Sequence, residues 1–70
     1  MAELETGIPS VRQIQGLIKE QTQVELKLLT TDVLTGRIQW QDQQALCLIT
    51  QDEQPIIIWR QAIAYIKPQA

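Results

Sequence analysis

Hydrophobic residues near the start of the chain recur with the period of an α-helix. Between residues 11 and 18 they fall on one helical stripe, and the positions between them are mostly polar. Ser10, followed three residues later by Gln13, fits a capping box with Ser10 as the N-cap. The pattern predicts an amphipathic helix of about ten residues, preceded by an acidic, flexible tail of residues 1–8. The predicted stripe consists of Val11, Ile14, Leu17 and Ile18.

After residue 22 the hydrophobic period changes to the alternation that is typical of β-strands. Five alternating or apolar segments follow, separated by short polar turns. In the second segment, Leu34, Ile38 and Trp40 are in phase on one predicted face. Gly36 lies between them and indicates a sharp bend or a close backbone approach. The five predicted strands span residues 24–29, 33–40, 45–50, 55–60 and 62–67.

The fourth and fifth predicted strands are joined in an unusual way. Gln61 alone separates them, and no glycine is present to form an ordinary hairpin turn. We therefore expect the two strands to continue round a corner without pairing, which leaves isoleucine-rich edges that need a partner. The whole pattern predicts a mainly β fold, with one N-terminal helix and a small, strongly bent, five-stranded antiparallel barrel.

The size of the chain favours an oligomer. Seventy residues form one domain, and a chain this short buries only about 60% of its unfolded surface, so a monomer is marginally stable. Cys47 is the one cysteine, and its apolar surroundings predict a core residue; the chain has no histidine, which argues against a metal site. Association with other copies is then the expected source of additional stability.

The charge pattern limits how the protein can meet a partner. A formal charge of −2 argues against binding of nucleic acid through the attraction of the whole protein. Contact with RNA therefore needs a local cluster of Lys and Arg side chains. The sequence shows no signal peptide, and no apolar run approaches the roughly 20 residues that a membrane span requires. We therefore expect a cytoplasmic protein without membrane insertion.

Catalytic machinery is not recognisable in the sequence. With no histidine, one serine and one cysteine, the chain lacks the usual pairs of nucleophile and base. Asp52 and Glu53 lie together in a predicted turn, and Glu3 and Glu5 lie in the tail, so both acidic pairs are interpreted as solvated charge. We predict that the protein is not an enzyme and uses no cofactor.

Two motifs give the chain a family resemblance. In "LTGRIQWQDQQALCL", residues 34–48, Gly36 in a bent strand, Ile38 and the turn residue Asp42 resemble the first signature of the Sm/LSm superfamily. "WRQA", residues 59–62, leads into an apolar last strand and resembles the second signature of Hfq, the bacterial branch. The resemblance covers residues 9–68 and is strongest to the divergent cyanobacterial Hfq-like proteins.

The resemblance implies an SH3-like barrel with the helix across its open end. It also implies a homohexameric ring, in which strand four of one subunit pairs with strand five of the next, and which acts as a post-transcriptional regulator. Family members bind uridine-rich RNA at the pore on the helix-bearing face. The matching positions are Gln43, Gln44, Trp59, Arg60 and Gln61.

Several matching positions depart from the family pattern. Gln44 stands where the family stacks a base on an aromatic ring, and Gln61 stands where it has histidine, so we expect weak binding. Arg60 replaces the usual lysine and keeps the cation. At the rim, Lys19 stands in place of an arginine cluster. On the opposite, adenine-binding face, the matching stretch includes Lys27 and Thr31 and has neither the family's aromatic residue nor its glycine.

Other interpretations of the same residues stay open. Trp59 can be a packed aromatic between subunits or a surface for base stacking, and Arg60 can form an ion pair between subunits or contact RNA. Trp40 can belong to the core or receive a partner protein. The alternative function is accordingly a ring-shaped protein-interaction scaffold that has largely lost RNA binding, and a monomeric SH3-like barrel is the third possibility.

Overall fold

The computed structural model describes residues 7–69, which form one helix and a single antiparallel sheet. The strand order in the sheet is β4-β3-β2-β1-β5. The predicted fold class is therefore confirmed, while residues 1–6 of the predicted tail and residue 70 lie outside the described residues. The elements are α1 (Pro9–Glu20), β1 (Gln23–Leu28), β2 (Val33–Gln41), β3 (Ala45–Thr50), β4 (Pro55–Trp59) and β5 (Ile63–Pro68).

Helix α1 begins two residues earlier than the capping box predicts. Ile8 occupies the N-cap position, and no side chain caps the helix there, so the prediction of Ser10 as N-cap is wrong. Pro9 is the reason: its ring fixes φ near the helical value and it has no N–H to satisfy, which suits the first helical position. The helix has 12 residues and its C-cap is Gln21, which has a left-handed φ of 53° and donates its N–H to the carbonyl of Ile18.

The helix packs against the core face of the sheet. Val11 is buried, and the other members of the predicted stripe pack against the core of the sheet. Removing this apolar surface from water supplies the main driving force for docking of the helix. The core itself consists of Val24, Leu26, Ile38, Leu46, Leu48 and Ile58.

Gly36 is required by the close approach of two strands. A Cβ atom built on Gly36 overlaps the backbone carbonyl oxygen of Ile49 on the neighbouring strand β3. Because the obstacle is backbone, a rotation of a side chain cannot relieve the overlap. The bend that the sequence indicates at this glycine is therefore built into the pairing of β2 with β3.

A β-bulge changes the phase of strand β2. Ile38 pairs with Leu48 and Trp40 pairs with Cys47, so Gln39 is an extra residue in β2. The bulge turns Trp40 out of the face that Ile38 occupies, and its side chain is 39% exposed. The predicted common phase of these residues is therefore wrong, whereas the alternative of an exposed Trp40 holds for the single chain.

Strands β4 and β5 form the two edges of the sheet and do not pair with each other within residues 7–69. The corner between them is a turn of 3-10 helix, Arg60–Ala62, so β4 ends one residue earlier, and β5 begins one residue later, than predicted. Both edges carry exposed apolar side chains: Ile57 is 59%, Trp59 57% and Tyr65 42% exposed. Each edge also presents backbone groups that another strand can pair with.

Candidate nucleic-acid interface

The fold brings two separate segments together at one end of the sheet. The first is the turn between β2 and β3, residues 42–44, and the second is the end of β4 with the turn that follows it, residues 59–61. Ala45 pairs with Trp59 in the β3–β4 ladder, and the N–H of Arg60 donates to the carbonyl of Gln44 at 2.8 Å. All five residues predicted for the pore face therefore lie on adjoining segments: Gln43, Gln44, Trp59, Arg60 and Gln61.

Asp42 organises the first segment. Its Oδ1 accepts hydrogen bonds from the N–H groups of Gln44 at 2.9 Å and Ala45 at 2.8 Å, and its own N–H donates to the carbonyl of Ala45. The backbone donors of Gln44 and then Ala45 lower the pKa of Asp42, and the nearby charge of Arg60 acts in the same direction. The carboxylate thus holds the turn in shape by satisfying two backbone donors.

Arg60 is held at the junction of the two segments. Its Nη1 donates to Oε1 of Gln41 at 3.1 Å and to the carbonyl of Asp42 at 3.2 Å. Both acceptors are neutral, and within residues 7–69 the guanidinium makes no salt bridge. The half-buried Arg60 side chain is therefore held by neutral acceptors, and the Asp42 carboxylate lies near enough for the two charges to interact.

Gln41 connects this site to the helix. Its Nε2 donates to the carbonyl of Val11 at 3.1 Å and to Oε1 of Gln15 at 2.9 Å. The sequence interpretation missed both glutamines because the bulge at Gln39 decides where the Gln41 side chain lies, and alternation alone does not reveal a bulge. The one signal in the sequence is the position of Gln41 directly before the turn residue Asp42.

The remaining residues of the two segments form an exposed, mostly neutral surface around Arg60. Gln43, Gln44 and Gln61 are exposed amides, and Gln43 has further interactions within the protein. Trp59 presents the one aromatic side chain of the group. Amides offer both donors and acceptors to base edges, and an indole face can stack on a base.

The other predicted surfaces lie on different elements. Lys19 is exposed in the last turn of α1, directly before Glu20. Lys27 is half-buried in β1, opposite Tyr65 of β5. Thr31 lies in the β1–β2 turn with a left-handed φ of 74°.

The β1–β2 turn adjoins the corner that follows Arg60. The N–H of Leu29 donates to the carbonyl of Ala62 at 2.8 Å, which ties the turn containing Thr31 to the Arg60–Ala62 turn. The assignment of Thr31 to the opposite face stays a prediction. Lys27 belongs to the outward side of the β1–β5 ladder, as its pairing with Tyr65 shows.

A small bent antiparallel sheet capped by an N-terminal helix, with this pair of segments at one end, defines an Sm-like barrel protein. A family model described as Hfq related matches residues 8–68. The chain belongs to the Hfq-related family.

Two solved structures resemble the chain over most of its length. A crystal structure of an Hfq protein from Anabaena sp. is 48% identical, covers 87% of this chain and 97% of its own, and superposes with a TM-score of 0.79. A structure described as the pleiotropic translational regulator Hfq is 21% identical and also has a TM-score of 0.79. The match covers 83% of this chain and 95% of that protein, and it supports the fold alone. A search of curated proteins finds no significant match.

Two further observations concern residues 7–69. No helix in this part of the chain is long and apolar enough to cross a membrane. No group of three or more acidic or cysteine side chains within it is arranged to hold a metal ion.

Proposed function

We propose that this protein is a non-enzymatic, post-transcriptional regulator of the Hfq type that binds short uridine-rich RNA at the helix-bearing face. The observation that carries the proposal is the placement of Arg60. Its guanidinium lies against the turn of residues 42–44, held by two neutral acceptors and surrounded by exposed amides and Trp59. A cation in this setting can contact a phosphate, while amides and an indole can contact bases.

The proposed assembly is a homohexameric ring. The unpaired edges β4 and β5 support it, because pairing β4 of one subunit with β5 of the next removes both edges from solvent. A groove of about 330 Å³ beside β5 offers a second apolar contact for the neighbouring subunit. It lies between α1 and β5 and is lined mainly by Ile14, Leu17, Ile63, Ile66 and Pro68.

Ring symmetry strengthens the proposed RNA site. Six chains of formal charge −2 carry −12 in total, which repels RNA at long range. Six copies of Arg60 round one opening nevertheless form a local positive surface. Attraction at such a surface depends strongly on salt concentration.

Binding is proposed to be weak. Gln44 cannot offer the aromatic stack that contributes about 1–3 kcal/mol per base, and Gln61 provides a neutral amide beside Arg60. Lys19 at the rim, and Lys27 with Thr31 on the β1–β2 side, are proposed as subsidiary contacts only, because each site has a single cation at most.

The proposed binding domain spans residues 9–68. The cytoplasm is its proposed compartment, because the proposed RNA ligands are found there.

The direct test compares RNA affinity in the parent protein and in Arg60→Ala. Fluorescence anisotropy with short uridine-rich, adenine-rich and cytidine-rich RNAs at low salt should show micromolar or weaker binding that prefers uridine. Arg60→Ala should abolish it. Arg37→Ala is the matched control, because it also removes one cation but from an exposed pair with Glu53. Absence of uridine-rich RNA binding by the parent protein at low salt would overturn the proposal.

One observation favours a second candidate function, a ring-shaped scaffold for another protein. Trp40 is a large aromatic that the bulge places on the surface, separate from the two edge strands. Affinity purification from the native cell, with RNA sequenced and proteins identified from one eluate, discriminates the two functions. A Trp40→Ala variant that loses a co-purified protein while keeping its RNA would support the scaffold.

A further inference from the structure

One glutamine joins the helix, the sheet and the candidate cation. Gln41 accepts a hydrogen bond from Nη1 of Arg60 through Oε1, and donates through Nε2 to the carbonyl of Val11 and to Oε1 of Gln15. We infer that Gln41 is a positioning residue that orients Arg60 for contact with RNA phosphate and couples that orientation to helix α1. The inference rests on the proposed function for its ligand, but the positioning itself can be measured without RNA.

The chemistry of this position requires an amide. Arg60 can only donate, and the carbonyl of Val11 can only accept, so the residue between them must accept at one atom and donate at another. A carboxylate at position 41 could still accept from Arg60, but would face two acceptor oxygens without a proton to give. Asparagine has the same groups on a shorter side chain and would not reach both elements.

The arrangement also keeps the charge of Arg60 available. Gln41 and the carbonyl of Asp42 orient the guanidinium with dipoles, and neither cancels its charge. Oδ1 of the nearby Asp42 carboxylate is occupied by the backbone N–H groups of Gln44 and Ala45, and Asp42 forms no salt bridge with Arg60 within residues 7–69. Nη1 is thereby committed to the protein, and no hydrogen bond is described from the edge formed by Nε and Nη2 to the protein within residues 7–69. Two parallel donors on that edge match two oxygens of one phosphate.

The RNA test uses Gln41→Met, which keeps side-chain length but removes both hydrogen-bonding functions. Its affinity for uridine-rich RNA should fall by about three- to tenfold, the effect of removing a typical hydrogen bond. Gln41→Glu should bind more weakly still, because it places a negative charge against Arg60, and the slope of its salt dependence should become shallower by about 0.7 for each phosphate that is no longer neutralised. Gln39→Glu is the matched control: it adds the same charge two residues upstream on an exposed side chain that contacts Cys47.

A double-mutant cycle separates positioning from a direct role of Gln41 in binding. If Gln41 acts through Arg60, Gln41→Met should have a clearly smaller effect on affinity in an Arg60→Lys background, which keeps a cation for RNA but lacks the planar guanidinium that Gln41 orients. Effects that simply add in the double variant would overturn the inference. RNA binding that is unchanged in both Gln41 variants would overturn it as well.

An RNA-independent measurement keeps the inference distinct from the proposed function. The order parameter of the Arg60 Nε–H group, measured by ¹⁵N NMR, should be that of a rigid group in the parent protein and fall below about 0.6 in Gln41→Met. An equally rigid Arg60 in the variant would refute the positioning role even if RNA binds. If the parent protein binds no RNA but Arg60 becomes mobile in Gln41→Met, the proposed function is refuted and the positioning role is not. Gln41→Ala replaces Gln41→Met if the latter does not fold; it also removes both hydrogen-bonding groups and should leave Arg60 mobile.

Discussion

The phenol of Tyr65 on β5 donates a hydrogen bond to Oε2 of Glu25 on β1, with 2.8 Å between the two oxygens. Glu25 pairs with Lys67 and Lys27 pairs with Tyr65, so the contact runs diagonally across the outward face of the ladder. It ties the edge strand β5 to its neighbour through side chains. The hydrogen bond to Glu25 raises the pKa of Tyr65 above its ordinary value, and the charge of Glu25 adds to the effect.

The first prediction concerns the titration of this tyrosine. Tyr65 is the only tyrosine in the chain, so the absorbance of phenolate reports it alone. The pKa should lie above 10.0 in the parent protein and fall in Glu25→Ala. Because the folded pKa is raised, the contribution of this contact to stability is present below the unfolded pKa and is lost as pH rises through the folded pKa. Identical titration curves for both proteins would show that the contact does not form in solution.

The second prediction concerns Asp42 and acid. The folded pKa of Asp42 is lowered, so its contribution to stability is present above the unfolded value of 3.8 and is lost as pH falls through the folded pKa. Asp42→Asn keeps an oxygen acceptor but cannot ionise. Its thermal midpoint should therefore depend less on pH in the acidic range than that of the parent protein. Asp52→Asn, which removes an exposed acid from another turn, is the matched charge control.

The third prediction uses two glycines with opposite surroundings. Gly36→Ala should destabilise the protein by about 2 kcal/mol or more, because the new methyl group overlaps the backbone of β3. Gly16→Ala in helix α1 should stabilise it by about 1 kcal/mol, since nothing lies within 4 Å of the added atom and alanine favours the helix. Urea unfolding at one fixed protein concentration measures both. A Gly36→Ala protein as stable as the parent would contradict the close approach of β2 and β3.

The fourth prediction concerns the β1–β2 turn. Thr31 has a φ of 74°, a conformation that is strained for a β-branched residue. Thr31→Asn should stabilise the protein by about 1 kcal/mol, because asparagine tolerates the left-handed region. Thr30→Asn is the neighbouring control: it removes the hydroxyl that donates to Asp32 at 2.8 Å and should not stabilise. Urea unfolding compares the stability of both variants with that of the parent protein. A lower unfolding midpoint for Thr31→Asn than for the parent protein would count against strain at this residue.

The fifth prediction tests the proposed ring. Ile57→Lys places a charge on the exposed edge β4 and should convert the assembly to subunits near 8.0 kDa by light scattering. Val33→Lys is the control, since Val33 is 50% exposed but lies on the central strand β2. Neither side chain is buried in the single chain, so both variants should remain folded. A ring that survives Ile57→Lys would exclude β4 from the subunit contact.

The sequence predicts the elements of this fold well because its signals are local. Alternation identifies the strands, the stripe that includes Ile14 and Leu17 identifies the helix, and the corner near Gln61 follows from the missing turn glycine. The predicted helix start is wrong because two local signals compete: the capping box at Ser10 and the preference of Pro9 for the first helical turn.

The candidate site is only partly predictable. The resemblance supplies Arg60 and the segments that meet around it, but the partners of Arg60 depend on the bulge at Gln39. A bulge is set by how two strands pair, and that information is shared between β2 and β3. The contacts of Gln41 with helix α1 join residues that are 30 and 26 positions apart in sequence. The sequence pattern cannot predict them, because they depend on how the helix packs on the sheet.

The bend at Gly36 has a geometric consequence for the proposed assembly. The β2–β3 pairing lies between the two edges of the sheet, so its curvature helps to fix the angle between β4 and β5 within one subunit. In a closed ring of identical head-to-tail contacts, the rotations from each subunit to the next must sum to one full turn. In a hexamer each rotation is therefore one sixth of a turn. The absent methyl group of one glycine would thereby help to set how many subunits complete the circle.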